Sequence, residues 1–284
     1  MERYMIIPVI MLFCIMSSCK LNDNHQAEVK VMSFNIRFPA EEGRPHDWSK
    51  RKENLLQLIL DHPSDFIGLQ EAVPIQVEYL AENLPEYGYT SRSREASPDE
   101  GEAVPIFYNR EKWNMVEDGH FWLSDTPEVP GSVTWGNAWI RMVTWGIFVH
   151  RENADTILVI NTHFDNVSQP SREKSTELTL ERIEKKANGH PVLLIGDLNV
   201  REDNIVIEKI EQEGFSDTYR EVHPEPQQTD FTFHGWTDPV GHSRIDYIFA
   251  RGHGETIDSY VIREHEGEIY PSDHFAVFSH IKIE

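Results

Sequence analysis

Residues 191–200, Pro-Val-Leu-Leu-Ile-Gly-Asp-Leu-Asn-Val, constrain the fold more than any other stretch of the chain. Four apolar residues, Val192 to Ile195, run directly into Gly196, Asp197, Leu198 and Asn199. The pattern predicts an interior β-strand that delivers a carboxylate and an amide at its carboxyl end, where open α/β sheets place their ligands. Asp197 and Asn199 lie two apart, so in extended geometry they share one face and offer oxygens of the kind that Mg²⁺ or Mn²⁺ takes. A strand ending in Gly-Asp is also an ordinary turn, so these residues gain weight only from similar tips elsewhere.

Such tips recur. Glu28–Asn35 alternates and then runs into Ser33-Phe-Asn-Ile-Arg37, a first strand with an amide at its end. Residues 48–60 carry Leu55, Leu56, Ile59 and Leu60 at helical spacing. Residues 65–70 form a second apolar strand with Glu71 directly after it. Glu71 reads either as the first-turn acid of a helix that Pro74 helps to start or as a ligand at a strand tip. After a polar loop over 92–102, residues 104–108 resume a strand.

Met142–His150 and residues 156–161 predict an antiparallel pair turning near 152–154, with Asn161-Thr-His-Phe-Asp165 at its end. Residues 173–186 and 203–214 read as helices, and residues 243–249 as a strand. Tyr270-Pro-Ser-Asp-His274 then leads into an edge-like strand over 275–283. Between 121 and 145, Trp122, Trp135, Trp139 and Trp145 fall in an apparently irregular stretch, where such rings either pack or wall a pocket. Strand and helix signals alternate throughout, which places the chain in the α/β class with antiparallel pairs.

The first nineteen residues differ from the rest. Glu2 and Arg3 precede a short apolar run, closed by Ser17-Ser18-Cys19. The run is too short for a membrane span and reads as an export signal over residues 1–19, followed by a short tether over 20–27 and one domain over 28–284. Small residues before a cysteine resemble a bacterial lipobox, with Cys19 as the lipidation site and Met16 where leucine is usual. This implies an exported envelope lipoprotein, periplasmic or at the cell surface, held to a membrane by its lipid anchor. Both cysteines of the chain, Cys14 and Cys19, fall in this segment, so the domain has no disulfide and no thiolate chemistry.

Lys and Arg total 26 against 48 Asp and Glu, a net charge of −22. A surface of that sign repels polyanions and disfavours nonspecific nucleic-acid binding, although a bound divalent cation inverts the field locally.

Taken together, Ser33-Phe-Asn-Ile-Arg37, Gly68-Leu-Gln-Glu71, Asn161-Thr-His-Phe-Asp165, Gly196-Asp-Leu-Asn199, Arg244-Ile-Asp-Tyr247 and Ser272-Asp-His274 resemble, in order, the motifs of the endonuclease/exonuclease/phosphatase superfamily. The resemblance spans residues 28–284. It implies a four-layer α/β sandwich, with two mixed β-sheets face to face and flanked by helices. It also implies divalent-metal-dependent phosphoester hydrolysis with Mg²⁺ or Mn²⁺ as cofactor. His163 places the chain beside the deoxyribonuclease, sphingomyelinase and inositol-phosphatase set, and the closer resemblance is to bacterial secreted members.

By that resemblance Glu71, Asn35 and Asp273 bind the metal, since Mg²⁺ takes few protein carboxylates and keeps positions open for phosphate and water. His274, held by Asp246, activates the attacking water. Asp197 and Asn199 orient that water and a phosphate oxygen, while His163 stabilises or protonates the departing side. Arg37, Arg141, Arg172 and Arg244 are the cations near the motifs and the candidates for substrate phosphate, each readable instead as a structural ion-pair residue. The expected substrate is a small, lipid-linked or glycan-linked phosphoester, hydrolysed by a monomer. The alternatives are a metal-dependent nuclease and a catalytically inactive ligand-binding protein of the envelope.

Overall fold

The computed structural model describes residue 1 and residues 27–41, 43, 45–236 and 243–283. The export signal, Cys19 and the tether up to residue 26 lie outside the described residues. The first half of the domain runs β1 (Glu28–Asn35), α1 (Trp48–Asp61), β2 (Phe66–Gln70), α2 (Pro74–Asn83), β3 (Tyr87–Thr90), β4 (Ile106–Asn109) and β5 (Trp113–Trp122). The second runs β6 (Met142–His150), β7 (Thr156–His163), α3 (Gln169–Ala187), β8 (Val192–Asp197), α4 (Ile205–Gln212), β9 (Ser216–Asp217) and α5 (Thr218–Val222). It closes with β10 (Asp246–Arg251), β11 (His253–Ile262) and β12 (Ala276–Ile283).

These strands form two six-stranded mixed sheets, ordered β11-β12-β1-β2-β4-β3 and β5-β6-β7-β8-β10-β9. Each has one parallel pair at its centre, β1 with β2 and β7 with β8, and antiparallel neighbours around it. The parallel pairs are joined through α1 and α3, as a crossover between parallel strands requires. Strand pleat then assigns every residue a side. In β1, Val29 and Val31 enter the core between the sheets, together with Ile157, Val159, Leu193, Ile195 and Ile248. Met32 and Phe34 face outward against Leu55, Leu58 and Ile59 of α1. Across the molecule, Leu158, Ile160, Val192 and Leu194 face Ile183, Val206, Ile207 and Ile210 of α3 and α4. The result is the four-layer sandwich, with apolar material on both faces of each sheet.

Helix ends follow local chemistry. Ser168 caps α3 by accepting the Ser171 N–H, and Asn204 caps α4 by accepting that of Val206. Four strands carry no clear sequence signal, β3, β5, β9 and β11; all four lie at sheet edges, and β5 and β11 carry polar residues where an interior strand would be apolar. The last strand is consequently not an edge: β12 lies between β11 and β1. Trp122 and Trp145 prove to be strand residues, buried at 4% and 6% exposure, so they are packing.

Candidate active site

The residues that continue the inter-sheet core toward one end of the sandwich are polar. In β1 the inward positions run Val29, Val31, Ser33, Asn35; in β7 they run Ile157, Val159, Asn161, His163; in β8 and β10 they end at Asp197 and Asp246. The pleat that buries the valines therefore aims the amide, imidazole and carboxylates into the same gap. Register completes the alignment: His163 pairs with Asp197 across β7 and β8, and Asp197 pairs with Asp246 across β8 and β10. Gly68 and Gly196 allow the close approach. A Cβ on Gly196 would stand 2.4 Å from the Thr162 carbonyl oxygen, and one on Gly68 2.8 Å from Ile195 Cγ2.

Beyond the strand tips the backbone turns sharply. Arg37, Glu71, Asn199 and Trp236 adopt left-handed φ values of 54°, 58°, 51° and 64° without being glycine. Such conformations cost free energy and persist where surrounding contacts dictate them. Glu71 is accordingly a strand-tip residue that precedes α2 and not its first-turn acid. Its Oε1 accepts from Asn35 Nδ2 at 3.2 Å and its Oε2 from the Phe38 N–H at 3.3 Å.

Asn35 Nδ2 also donates to Asp197 Oδ2 at 3.0 Å, while its own Oδ1 accepts the Arg37 N–H at 3.1 Å. Asn35 thus ties two carboxylates together, and its Oδ1, which accepts one backbone N–H, keeps a second lone pair. The Arg37 guanidinium lies between Glu71 and Asp273, 3.5 Å from one carboxylate and 3.7 Å from the other.

Arg51, an interior helix residue with no sequence signal, holds this corner. Only 1% exposed, it donates to the carbonyls of Ile36, Arg37 and Pro271, and so joins the loop after β1 to the segment before Asp273. Ser272 adds a hydrogen bond to the Asn35 carbonyl at 2.6 Å.

On the other side, His274 Nδ1 lies 2.9 Å from Asp246 Oδ2, and its Nε2 lies 3.9 Å from Asp197 Oδ2. Asp246 Oδ1 is buried with no hydrogen-bond partner. Burial opposes the imidazolium of His274, but Asp246 beside it, with Asp197 and Asp273, outweighs that and raises its pKa to about 10. Burial, reinforced by Asp246, pushes Asp197 up to about 7. His163 goes the other way: burial, then Arg141, Arg94 and His274, hold it well below the usual histidine range. His163 Nε2 meets Asn199 Nδ2 at 3.0 Å and Asp197 Oδ2 at 3.4 Å.

These groups open onto a cavity of about 440 Å³, lined by Arg37, Glu71, Arg141, His163, Asp197, Asn199, Asp273 and His274. Phe233, Gly235, Trp236 and Ile245 form its other wall. The aromatic wall is therefore Phe233 and Trp236, which the tryptophan-rich stretch before Met142 did not indicate. Of the four candidate arginines, two reach the cavity. Arg172 caps its own helix region through the Asp165 carbonyl and Gln169, and Arg244 is committed to Asp217 and Glu202; neither lines the cavity. Both are structural, since buried or half-buried guanidinium groups settle on whatever acceptors the fold supplies.

The donor set suits a hard divalent cation. Glu71, Asp197 and Asp273 line the cavity with oxygens of the type Mg²⁺ and Mn²⁺ prefer, and the buried Asp246 Oδ1 accepts no hydrogen bond among the described residues. Asp197, Asp246 and His274 also bring one ligand atom each within 4.8 Å of one another.

A sequence model of the endonuclease/exonuclease/phosphatase family matches residues 32–274. Among solved structures, a family member from Bacteroides vulgatus is similar with a TM-score of 0.85 and 26% identity, over 91% of this chain and 100% of that one. A mannosyl-6-phosphatase of Bacteroides thetaiotaomicron gives 0.80 and 29%, over 89% and 99%. A functionally unknown conserved protein from Enterococcus faecalis gives 0.81 and 30%, over 90% and 100%.

Proposed function

The chain belongs to the endonuclease/exonuclease/phosphatase family, and from that premise we propose that it is a divalent-metal-dependent hydrolase of a small phosphoester, carried on a sugar, glycan or lipid head group. The observation that carries this reading is Arg141, 4% exposed, whose Nε is buried with no hydrogen-bond partner among the described residues, on the wall of a cavity that also holds Glu71, Asp197 and Asp273. A buried cation without a partner is costly unless an anion arrives to meet it.

Glu71 and Asp273 would hold the cation, the place where Arg37 now balances their charge. When bound, the cation supplies Lewis-acid polarisation of a phosphoryl oxygen. Arg37, which lies against both carboxylates, lines the cavity with Arg141, and the two would face the phosphate. Asp197, pushed up to about 7, takes up the proton of the attacking water, while His274, fixed by Asp246 and already carrying its proton, stands beside it as a positive charge. Asn199, held by its N–H to Asp197 Oδ1 at 2.9 Å, and neutral His163 offer hydrogen bonds to the reacting group.

Two cavity arginines and a net charge of −22 suit one phosphate and not the phosphates of a duplex. The mannosyl-6-phosphatase is a relative of the same fold with a small phosphorylated substrate, which supports this choice. Export and lipidation at Cys19 belong to the same proposal, because they place the enzyme where phosphorylated glycans and lipids are met.

The test is turnover of sugar phosphates, inositol phosphates, phospholipids, nucleotides and supercoiled plasmid, with and without Mg²⁺. The expected result is metal-dependent release from a small phosphate, preferred over plasmid by at least about tenfold in kcat/KM, a gap of only ~1.4 kcal/mol. Plasmid nicking with no turnover of the small phosphates would make the protein a nuclease.

A further inference from the structure

Beside the cavity, and sharing Arg141 and His163 with it, lies a recess of about 10 Å³, lined also by Arg94, Glu102, Val104, Ile140 and Met142. That is room for one water-sized group and not for an ester substituent. Arg141 and His163 border both the recess and the cavity, as does Glu71. The recess is thus too small to take a second substituent of the phosphorus.

Arg141 is uncommitted at this wall. Among the described residues no carboxylate comes within salt-bridge distance of it, although Glu102, Asp197 and Glu71 act on it from farther away. The reason is Arg94. Its Nη1 binds Glu102 Oε2 at 2.6 Å, which takes up the acid that shares the recess with Arg141. Arg94 also adds a second positive charge that, after burial, weighs against the Arg141 guanidinium. Two guanidinium groups at one wall, only one of them paired with a carboxylate among the described residues, form a receptor for high negative charge density.

We propose that Arg141, kept free of Glu102 by Arg94, makes this site selective for phosphomonoesters over phosphodiesters. The inference rests on the function proposed above and narrows its substrate class. A monoester dianion has three terminal oxygens and one substituent, so one oxygen turns toward Arg141 and the recess while the single substituent leaves along the open side, past Phe233 and Trp236. A diester has two terminal oxygens, one charge fewer and a second substituent that would have to enter the recess. Arg141 binds substrate directly; Arg94 acts through Glu102 and is a positioning residue.

The test compares binding of orthophosphate and of dimethyl phosphate to the Mg²⁺-loaded protein by calorimetry at pH 8, where orthophosphate is a dianion because its second pKa is near ~7, close to the value of about 6 for phosphorylated side chains. Hydrolysis of p-nitrophenyl phosphate and bis-p-nitrophenyl phosphate is measured in parallel. Orthophosphate should bind at least about tenfold tighter, and Arg141→Gln should lose about 10–100-fold for orthophosphate while leaving dimethyl phosphate within about threefold, the scale of charge-assisted hydrogen bonds.

Arg94→Gln should weaken orthophosphate by about three- to tenfold, since freed Glu102 can then pair with Arg141. Glu102→Gln in the Arg94→Gln background should restore most of that loss, which a merely structural role for Arg94 would not produce. Should Arg141→Gln fail to fold, the Arg94 and Glu102 variants decide the matter. Equal affinity for the two ligands, or equal loss of both in Arg141→Gln, would overturn the inference. Absence of turnover on every phosphoester, with the binding ratio intact, would instead overturn the hydrolase reading and leave the selectivity standing.

Discussion

Asp246 holds His274 through a 2.9 Å contact from Oδ2 to Nδ1, and its other oxygen, buried, has no hydrogen-bond partner among the described residues. A carboxylate so placed fixes the ring and supports its positive charge. If the pair works as one unit, Asp246→Asn and His274→Ala should each cost about 10²–10⁴ in turnover, the range of general acid–base catalysis. The double variant should be little worse than the poorer single. Steady-state kinetics on the four proteins decides it, and multiplicative losses would show that the two act independently.

Arg244 makes the opposite prediction from Arg141. Its guanidinium and the Asp217 carboxylate are 2% and 3% exposed, and Glu202 completes the cluster. Arg244→Ala strands Asp217 as a buried charge and should destabilise the fold by roughly 3–5 kcal/mol. Orthophosphate affinity of the folded fraction should be unchanged. Chemical denaturation together with phosphate titration checks both parts.

His120 should make the fold acid-sensitive. Burial lowers its pKa to about 4, against the opposing pull of Asp118, so the folded protein keeps a neutral ring that the unfolded chain protonates near the ordinary histidine value of 6.5. The unfolded state therefore binds the extra proton between these values, and stability is fully present above pH 6.5 and is lost as pH falls toward 4. His120→Gln should show a smaller drop in Tm between pH 7 and pH 5 than the parent protein. Identical drops would remove His120 as the cause.

Cys19 carries the proposal for location. The protein expressed with its native N-terminus should fractionate with membranes, and Cys19→Ala should release it. With a body of charge −22, acyl chains and not surface electrostatics would hold it there. Among the described residues no helix is long and apolar enough to cross a membrane.

Much of the site was legible in the sequence because strand parity is local. Once 192–197 is a strand with Leu193 and Ile195 inward, Asp197 must be inward as well, and the same parity carries Asn35 and His163. What was not legible depends on partners distant in the chain. Arg141 and Arg244 are the same residue type beside equally apolar strands, and only the position of Asp217 makes one structural. Arg51 reads as a solvent-facing helix residue until the loops after Asn35 and before Asp273 close over it. The edge strands β5 and β11 were hidden because edges are polar by necessity.

The central claim is that Glu71 organises a divalent cation for phosphoester hydrolysis. The direct measurement is phosphate release from a sugar phosphate across a Mg²⁺ titration, for the parent protein and Glu71→Gln. The parent should lose activity on exhaustive chelation and regain it with Mg²⁺ or Mn²⁺. Glu71→Gln keeps the size and removes one charge, so its half-saturating Mg²⁺ should rise by about tenfold or more, with partial rescue at high metal. Parent activity that survives chelation, or a Glu71→Gln variant with an unchanged metal requirement, would contradict the account.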